Sequence, residues 1–344
     1  MAKRLKRGTS KAINLVPVVL IIAAILAVIT FILSQTKYLN ITDIKLSSDT
    51  IPRQYSGYKI AHISDLDNEN TGVVQKTSKS KPDLILVSGG LVDKNGNCQN
   101  SIKTLNSLSN IAPTYFVLQP EEIEYESDIV QNTSATYLNN SSITLPAREM
   151  TVEKYINENC DKGIIKEVKK NTEDAQEYVK YIQEQLDKDE AKTIQICGLN
   201  GAESNIYDTL DKLYELEKKE KAYSRILLLG NNKVADQFKD SGVNTVLTGN
   251  TYGIKENNKY YKDANTVYNY TLLVSRGACS NIPNNKRFMN FREIQMITLS
   301  DGQVYKRNPL ERFIEIFVKD TGTIFDNDGG FNKTVTEYKN TDYK

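Results

Sequence analysis

The sequence predicts an α/β fold, in which short buried strands alternate with helices. Six apolar runs have the length of buried strands, and most end in a polar or Gly-rich turn: 58–64, 83–88, 114–118, 193–198, 225–229 and 245–248. Between them lie segments with helical spacing, such as 101–108. In α/β sheets ligands bind beyond the carboxyl ends of the strands, so we expect functional residues in these turns.

Composition excludes two classes of function. The 344 residues are enough for one large domain or two small ones, and 44 Lys and Arg balance 43 Asp and Glu. A nucleic-acid-binding protein would carry a basic excess, so we expect no nucleic-acid partner. The cysteines Cys98, Cys160, Cys197 and Cys279 follow no C-x-x-C spacing, which argues against a zinc ribbon. Cys197 and Cys279 lie in apolar runs and are predicted to be buried thiols.

The N-terminus predicts a membrane anchor. Basic residues within 1–11 precede an uncharged run, 12–35, that is long enough to span a bilayer core. Positive charge before the span places the N-terminus in the cytoplasm and the rest of the chain outside the membrane. A cleaved signal peptide is the alternative, but its apolar region would be shorter, about 7–15 residues. We favour an uncleaved, single-pass anchor in the cell membrane.

The remaining chain is predicted to form one main domain. Ile41, Ile44 and Leu46 indicate an opening strand. Residues 123–150 are polar and predict a loop, whereas 151–190 and 207–221 have charged helical spacing. The runs 272–277 and 293–299 predict closing strands of a second sheet. The predicted organisation is therefore a basic cytoplasmic segment (1–11), a transmembrane anchor (12–35), a juxtamembrane stretch (36–50), the main domain (51–319, with a divergent region at 123–190) and a flexible tail (320–344).

The turns, taken in order, resemble the motifs of the calcineurin-like metallophosphoesterases, specifically their membrane-anchored bacterial group. The resembling segments are Gly57–Leu66 (the family's S-D-x-H turn), Lys81–Asp93 (its K-P-D and G-D motifs), Ala112–Glu122 (its G-N-H-E turn), Ile226–Asn231, Val243–Gly253 (its G-H-x-H-G turn) and Ser275–Gly277 with 287–299. The resemblance covers residues 51–300. It implies a four-layer α/β/β/α sandwich of two mixed sheets.

The metal ligands that the resemblance implies are almost all replaced. The family holds two metals with a bridging Asp, a further Asp, an Asn and several His, and a metal-activated water attacks phosphorus. Asp65 is the single matching ligand, and Glu122 also matches its turn. The replacements are Asp67 for a His, Gly90 for the bridging Asp, Pro120 for the Asn, Glu121 for the catalytic His, and Gly230, Asn250 and Tyr252 for three His. The single histidine, His62, lies on a strand and is expected to be packed.

These losses predict a pseudoenzyme that serves as a binding or scaffold protein of the cell envelope. No cofactor is expected. The residues of the former site are expected to converge at the strand ends: Asp65, Asp67, Gly90, Glu121, Glu122, Asn231, Asn250 and Tyr252. Such an acidic group would suit a cationic, sugar-like or peptide ligand. A collapsed pocket, with the surface for an envelope protein elsewhere, is an equal alternative.

Two further hypotheses stay open from sequence. Asp65, Asp67, Glu121 and Glu122 would form an all-oxygen shell for one Mg²⁺ or Ca²⁺, or an acid–base pair of carboxylates, which predicts a hydrolase with a remodelled site. Alternatively, the chain acts chiefly as an anchor for other envelope proteins, through the divergent region 123–190.

Overall fold

Strands and helices alternate along the chain as the sequence predicts. The computed structural model describes residues 16–69, 72–160, 162–201, 209–210, 222–235, 237–238, 241–253, 265–267, 270–280, 287, 290–302 and 337–339. The basic segment 1–11, most of the predicted helix 207–221 and most of the predicted tail 320–344 lie outside these residues.

The strands form two mixed sheets. Those described are β1 (Leu39–Ser47), β2 (Lys59–Ile63), β3 (Leu84–Ser88), β4 (Thr114–Val117), β5 (Thr136–Tyr137), β6 (Ser141–Thr144), β7 (Thr193–Leu199), β8 (Ala222–Leu229), β9 (Thr245–Thr248), β10 (Asn265–Val267), β11 (Tyr270–Val274), β12 (Arg292–Ser300) and β13 (Glu337–Lys339). The first sheet has the order β13-β1-β12-β2-β3-β4-β5 and the second β10-β11-β9-β8-β7-β6. The predicted α/β fold with two mixed sheets is confirmed.

The described helices lie at the N-terminal end of the chain and between the strands. They are α1 (Val16–Lys37), α2 (Val73–Ser80), α3 (Gln99–Ser109), α4 (Glu126–Asn132), α5 (Val152–Asn159), α6 (Lys162–Lys169) and α7 (Glu173–Asp189). Val73 of α2, together with Ile102 and Leu105 of α3, packs in one buried cluster with Ile85 and Val87 of β3. These two helices therefore cover the outer face of the first sheet.

The main core lies between the two sheets. Leu84 and Leu86 of β3 share a buried cluster with Ile194 of β7 and with Ile226 and Leu228 of β8. Alternate residues of β3 thus face the helices or the second sheet, which explains why this strand reads as an unbroken apolar run. The two sheets pack face to face, and the carboxyl ends of β2, β3, β8 and β9 lie at the same edge.

Two predictions about the chain path are wrong. The run at 293–299 was expected in the second sheet, but β12 lies in the first, parallel to β1 and antiparallel to β2. Periodicity marks a strand but does not determine its partner. The segment 123–150 was expected to be a polar loop, yet it contains α4, β5 and β6. These elements are short, so their apolar residues are too few to give a period.

The charged region 151–190 forms α5, α6 and α7, as its helical spacing predicts. Their apolar faces make a separate cluster that includes Tyr155, Tyr178 and Ile182. This helical unit is tied to the sheets by Asp189 at the end of α7. Its carboxylate lies 3.0 Å from Arg53 Nη1 and 2.7 Å from Lys192 Nζ.

The first helix differs from the rest because it is apolar around its whole circumference. Its side chains are described from Val16 to Phe31, and its large apolar ones are at least 45% exposed. The rings of Phe31 and Phe291 pack edge to face, with centroids 6.3 Å apart. Within the described residues, no helix combines the length and the apolarity needed to cross a membrane.

The two segments predicted to flank the main domain, 36–50 and 320–344, each contribute a strand to the first sheet. β1 lies in the stretch 36–50 and pairs with β12 along its whole length, from Leu39 opposite Arg292 to Ser47 opposite Ser300. β13 lies in the predicted tail and pairs with the last residues of β1.

Candidate functional site

The turns that follow β2, β3, β8 and β9 come together around Asp65. Its side chain is fully buried. The backbone N–H of Asn250, from the second sheet, donates to Asp65 Oδ1 at 3.0 Å and to Oδ2 at 3.2 Å. Ser64 Oγ donates to Oδ2 at 3.0 Å, and Gln119 Nε2 donates to Oδ1 at 3.3 Å. Both carboxylate oxygens are therefore engaged by protein donors.

Burial controls the acidity of Asp65. It raises the pKa of this carboxyl from 3.8 to about 6, against the opposing hydrogen bonds from Ser64 and Asn250 and the charge of Arg287. The Glu122 carboxylate raises it further. Burial therefore outweighs the surrounding donors and the charge of Arg287 in setting the pKa of Asp65.

Three glycines enclose Asp65 so closely that none of them has room for a Cβ. A Cβ at Gly90 would lie 2.4 Å from Asp65 Cα and 2.7 Å from its backbone nitrogen. At Gly277 it would lie 2.7 Å from Asp65 Oδ2, and at Gly249 it would lie 2.4 Å from Ser64 Cβ. Gly90 and Gly277 also have φ of +73° and +79°, which glycine adopts at little cost.

A dinuclear metal centre does not fit this arrangement. Gly90 stands where the resemblance implies a bridging carboxylate, and the space beside it is filled by the backbone of Asp65. Among the described residues, no group of three or more His, Cys, Asp or Glu side chains is arranged to hold a metal ion.

The Glu122 side chain is buried, and it accepts hydrogen bonds from backbone N–H groups. Its Oε2 accepts N–H bonds from Gly90 at 3.1 Å and Gln119 at 2.9 Å. Its Oε1 accepts from Val92 at 2.9 Å and also from Leu91. Burial raises the pKa of Glu122, and these four hydrogen bonds oppose that shift. The carboxylate therefore holds the Gly-rich turn after β3 and has no lone pair directed at a ligand.

Glu121, the neighbouring residue, points away from Asp65. Its side chain is 63% exposed and lies 4.0 Å from Lys233 Nζ. Asn231 is likewise occupied, since its Oδ1 accepts from the Lys233 N–H at 3.1 Å and its Nδ2 donates to Gly201 O at 2.7 Å. These two candidates do not join the group around Asp65.

Asp67 and Tyr252 form the rim of the group. Both are partly exposed, and both have left-handed backbones, with φ of +49° and +51°. Burial raises the pKa of Asp67 to about 6, with help from the charges of Glu69 and Asp93. Burial also raises the pKa of Tyr252, followed by the charges of Asp65, Cys279, Asp67 and Glu122. Tyr252 therefore lies within electrostatic range of these carboxylates.

The group around Asp65 has one support that sequence reasoning did not assign. Arg287 is 1% exposed and donates to the backbone oxygens of Cys279 at 3.1 Å and Arg276 at 3.0 Å. It fixes the turn that contains Gly277 and supplies a cation near Asp65. A single arginine in an irregular segment carries no pattern, so no sequence signal marks it.

His62 is a structural residue, as its strand position predicts. It is fully buried, with Nδ1 2.8 Å from Gln295 Oε1 and Nε2 2.9 Å from Ser88 Oγ. Burial lowers its pKa to about 4. The prediction that Cys197 and Cys279 are buried thiols is also confirmed.

Comparison with known proteins adds no relative. A scan against protein-family models finds no match, and a search of curated proteins finds no similar sequence. The functional conclusion therefore depends on the geometry around Asp65.

Proposed function

We propose that this chain is a membrane-anchored, extracytoplasmic member of the calcineurin-like metallophosphoesterases that has lost the dinuclear centre and acts as a binding or scaffold protein of the bacterial cell envelope. One observation carries the proposal. The turn after β3 packs its Gly90 against Asp65 at a distance that leaves no room for a Cβ, let alone a bridging carboxylate. Loss of ligands and closure of the space they occupied therefore go together.

The order of the turns supports the family assignment. The S-D turn follows β2, the Gly-rich turn follows β3, and the turn at 249–253 follows β9, on two sheets that pack face to face and whose turns meet at Asp65. The resemblance implies the same placement for the family's ligands, and it further implies a four-layer sandwich.

The apolar run supports the anchor. Its side chains from Val16 to Phe31 are largely exposed, which in water would leave an unusually large apolar surface. The uncharged sequence 12–35 begins four residues before this helix, and the basic residues of 1–11 precede it. A bilayer would cover this surface and would place the sheets outside the cytoplasm.

Closure of the buried site favours a surface partner over a ligand inside the pocket. Asp65 and Glu122 have their oxygens engaged by N–H and side-chain donors, whereas Asp67 and Tyr252 remain partly exposed. The rim therefore offers a small polar surface for an envelope protein or a small polar ligand.

The remodelled hydrolase receives less support. An all-oxygen cation shell would need Asp65, Asp67, Glu121 and Glu122 to converge. Glu121 faces solvent and Glu122 accepts four backbone N–H bonds, so the four carboxylates do not form one shell. The same separation argues against an acid–base pair of carboxylates.

Metal content tests the loss of the dinuclear centre. The full chain, purified in detergent, would be incubated with Mn²⁺, Zn²⁺ or Fe²⁺, desalted and analysed for bound metal. We expect the same background content in the wild type and in Asp65→Ala, because Asp65 has no co-ligands. One or two tightly bound metals that disappear in Asp65→Ala would contradict the proposal.

A further inference from the structure

The junction between α1 and the first sheet is very short. α1 ends at Lys37 and β1 begins at Leu39, so Tyr38 alone separates them. One residue spans less than about 4 Å. β1 is also paired with β12 along its whole length, beginning with Leu39 opposite Arg292, and this pairing keeps its first residues from detaching to lengthen the connection. The end of the sheet where β1 begins must stay close to the end of α1.

That end of the sheet is the one that carries the former site. β1 runs parallel to β12, with Leu39 opposite Arg292. β12 runs antiparallel to β2, with Gln295 opposite His62. Extended by three residues, the same register places Arg292 level with Asp65. The Arg292 side chain donates to Ala278 O at 2.7 Å, and Cys279 N–H donates to Asp65 O at 2.8 Å. The start of β1 and the turn after β2 thus lie at one edge.

A side-chain contact brings α1 to the same edge. Phe31 lies six residues before the end of α1, and its ring packs against Phe291, which directly precedes β12. Six residues of helix correspond to about 9 Å. Phe31 belongs to the apolar run, so a residue that touches it lies at or near the boundary between hydrocarbon and headgroups.

From these observations we infer that the edge carrying Asp67, Tyr252 and Phe291 rests on the outer surface of the bilayer that holds α1. The inference depends on the proposed membrane anchor and adds the orientation of the domain. The occupant of this surface is the lipid headgroup layer, with Phe291 and Tyr38 at the interface, where aromatic side chains are favoured. Tyr38 is 63% exposed and is therefore accessible to lipid.

This orientation restricts what the former site can contact. A partner that reaches Asp67 or Tyr252 must lie within the headgroup layer or be held against it. The opposite end of the second sheet, where β8 begins, faces away from the membrane. Tyr223 marks that end, six residues and about 20 Å before the end of β8.

Tryptophan fluorescence measures the orientation, because the chain has no tryptophan of its own. Three variants of the full chain would each carry one reporter: Phe31→Trp, Phe291→Trp and Tyr223→Trp. Each would be reconstituted in phosphatidylcholine–phosphatidylglycerol vesicles with and without bromine in the acyl chains. We expect brominated lipid to reduce the emission of Phe31→Trp strongly and of Phe291→Trp clearly, and to leave Tyr223→Trp unchanged.

The three reporters separate the two proposals. Unquenched Phe31→Trp would contradict the anchor itself. Quenched Phe31→Trp with unquenched Phe291→Trp would leave the anchor intact and overturn the orientation, as would equal quenching of Phe291→Trp and Tyr223→Trp. If Phe291→Trp does not fold, as judged by its circular dichroism, Tyr252→Trp reports on the same edge with the same expected result.

Discussion

Two buried aspartates, Asp65 after β2 and Asp189 at the end of α7, are stabilised in opposite ways. Asp65 accepts a backbone N–H and two neutral side-chain donors. Asp189 is bound by two cations, Arg53 and Lys192, at 3.0 and 2.7 Å. Burial acts to raise the pKa of both carboxyls. At Asp65 it prevails, whereas at Asp189 the hydrogen bonds and charges of Lys192 and Arg53 outweigh it and lower the pKa.

The difference shows two ways to hold a buried carboxylate. Around Asp65 a backbone N–H, neutral side-chain donors and close packing against glycines hold the carboxylate. At the end of α7 direct ion pairs hold Asp189. The predictions below test this contrast, beginning with the packing.

A side-chain atom added beside Asp65 should have the largest effect on stability. Gly90→Ala places a Cβ 2.4 Å from Asp65 Cα, and Gly72→Ala places one where there is nothing within 4 Å, although both glycines have φ of +73°. We expect Gly72→Ala to lower the free energy of unfolding by about 1 kcal/mol, for its left-handed backbone. Gly90→Ala should cost about 4 kcal/mol or more. Denaturant unfolding of both variants gives the difference, and equal losses would mean that Asp65 is not tightly enclosed.

Weakening the hydrogen bonds that Glu122 accepts from backbone N–H groups should have the next largest effect on stability. Glu122→Gln replaces one carboxylate oxygen by an NH₂ group, which would face two N–H donors. We expect a loss of about 3 kcal/mol in unfolding free energy, since buried donors would be left without acceptors. Glu121→Gln, at the adjacent exposed position, should change stability by less than about 0.5 kcal/mol. A Glu122→Gln variant as stable as Glu121→Gln would show that the four N–H bonds contribute little.

A change of pH should have the smallest effect on stability, and it should distinguish Asp65 from Asp189. Because the folded-state pKa of Asp65 is raised from 3.8 to about 6, the folded chain binds a proton before the unfolded chain does as pH falls. Asp65 thus adds stability between pH 6 and 4, by about 2 kcal/mol from pH 7 to 4.5. His62, whose pKa falls from 6.5 to about 4, removes a similar amount over the same range.

His62, Asp67 and Glu122 titrate in both the wild type and Asp65→Asn. We therefore expect the wild type to gain about 2 kcal/mol of stability relative to Asp65→Asn between pH 7 and 4.5. Asp189→Asn is the control. The lowered pKa of Asp189 gives stability that is present above about pH 4 and is lost only below it, so this variant should be weaker than the wild type by a constant amount across the range. Parallel pH curves for wild type and Asp65→Asn would refute the raised pKa.

Much of the fold is predictable from sequence because strand runs, turns and their order are local features. The strands at 59–63, 84–88 and 245–248 agree with the apolar runs within one residue. The meeting of Asp65, Asn250 and Tyr252 also follows from the rule that turns beyond parallel strands converge.

The features that the sequence does not predict depend on the direction of side chains and on distances between residues that are far apart in the chain. Glu121 and Glu122 are adjacent in a single 3₁₀ turn, and one faces solvent while the other is buried. No periodic pattern distinguishes them. The glycines around Asp65 are read from sequence as turn residues, and only the three-dimensional distances reveal that they exclude side chains. The partner of β12 is equally hidden, because strand pairing is non-local.

That pairing has a consequence for how the chain is made. β1 is among the first parts of the domain to be synthesised, yet its full-length partner, β12, emerges only after almost the whole of the remaining domain. Until then β1 presents unpaired N–H and C=O groups beside the end of α1, which is a template for association with another chain. Chain termination before residue 292 should therefore yield a product prone to aggregation, and its formation should depend on whatever protects nascent strands during synthesis.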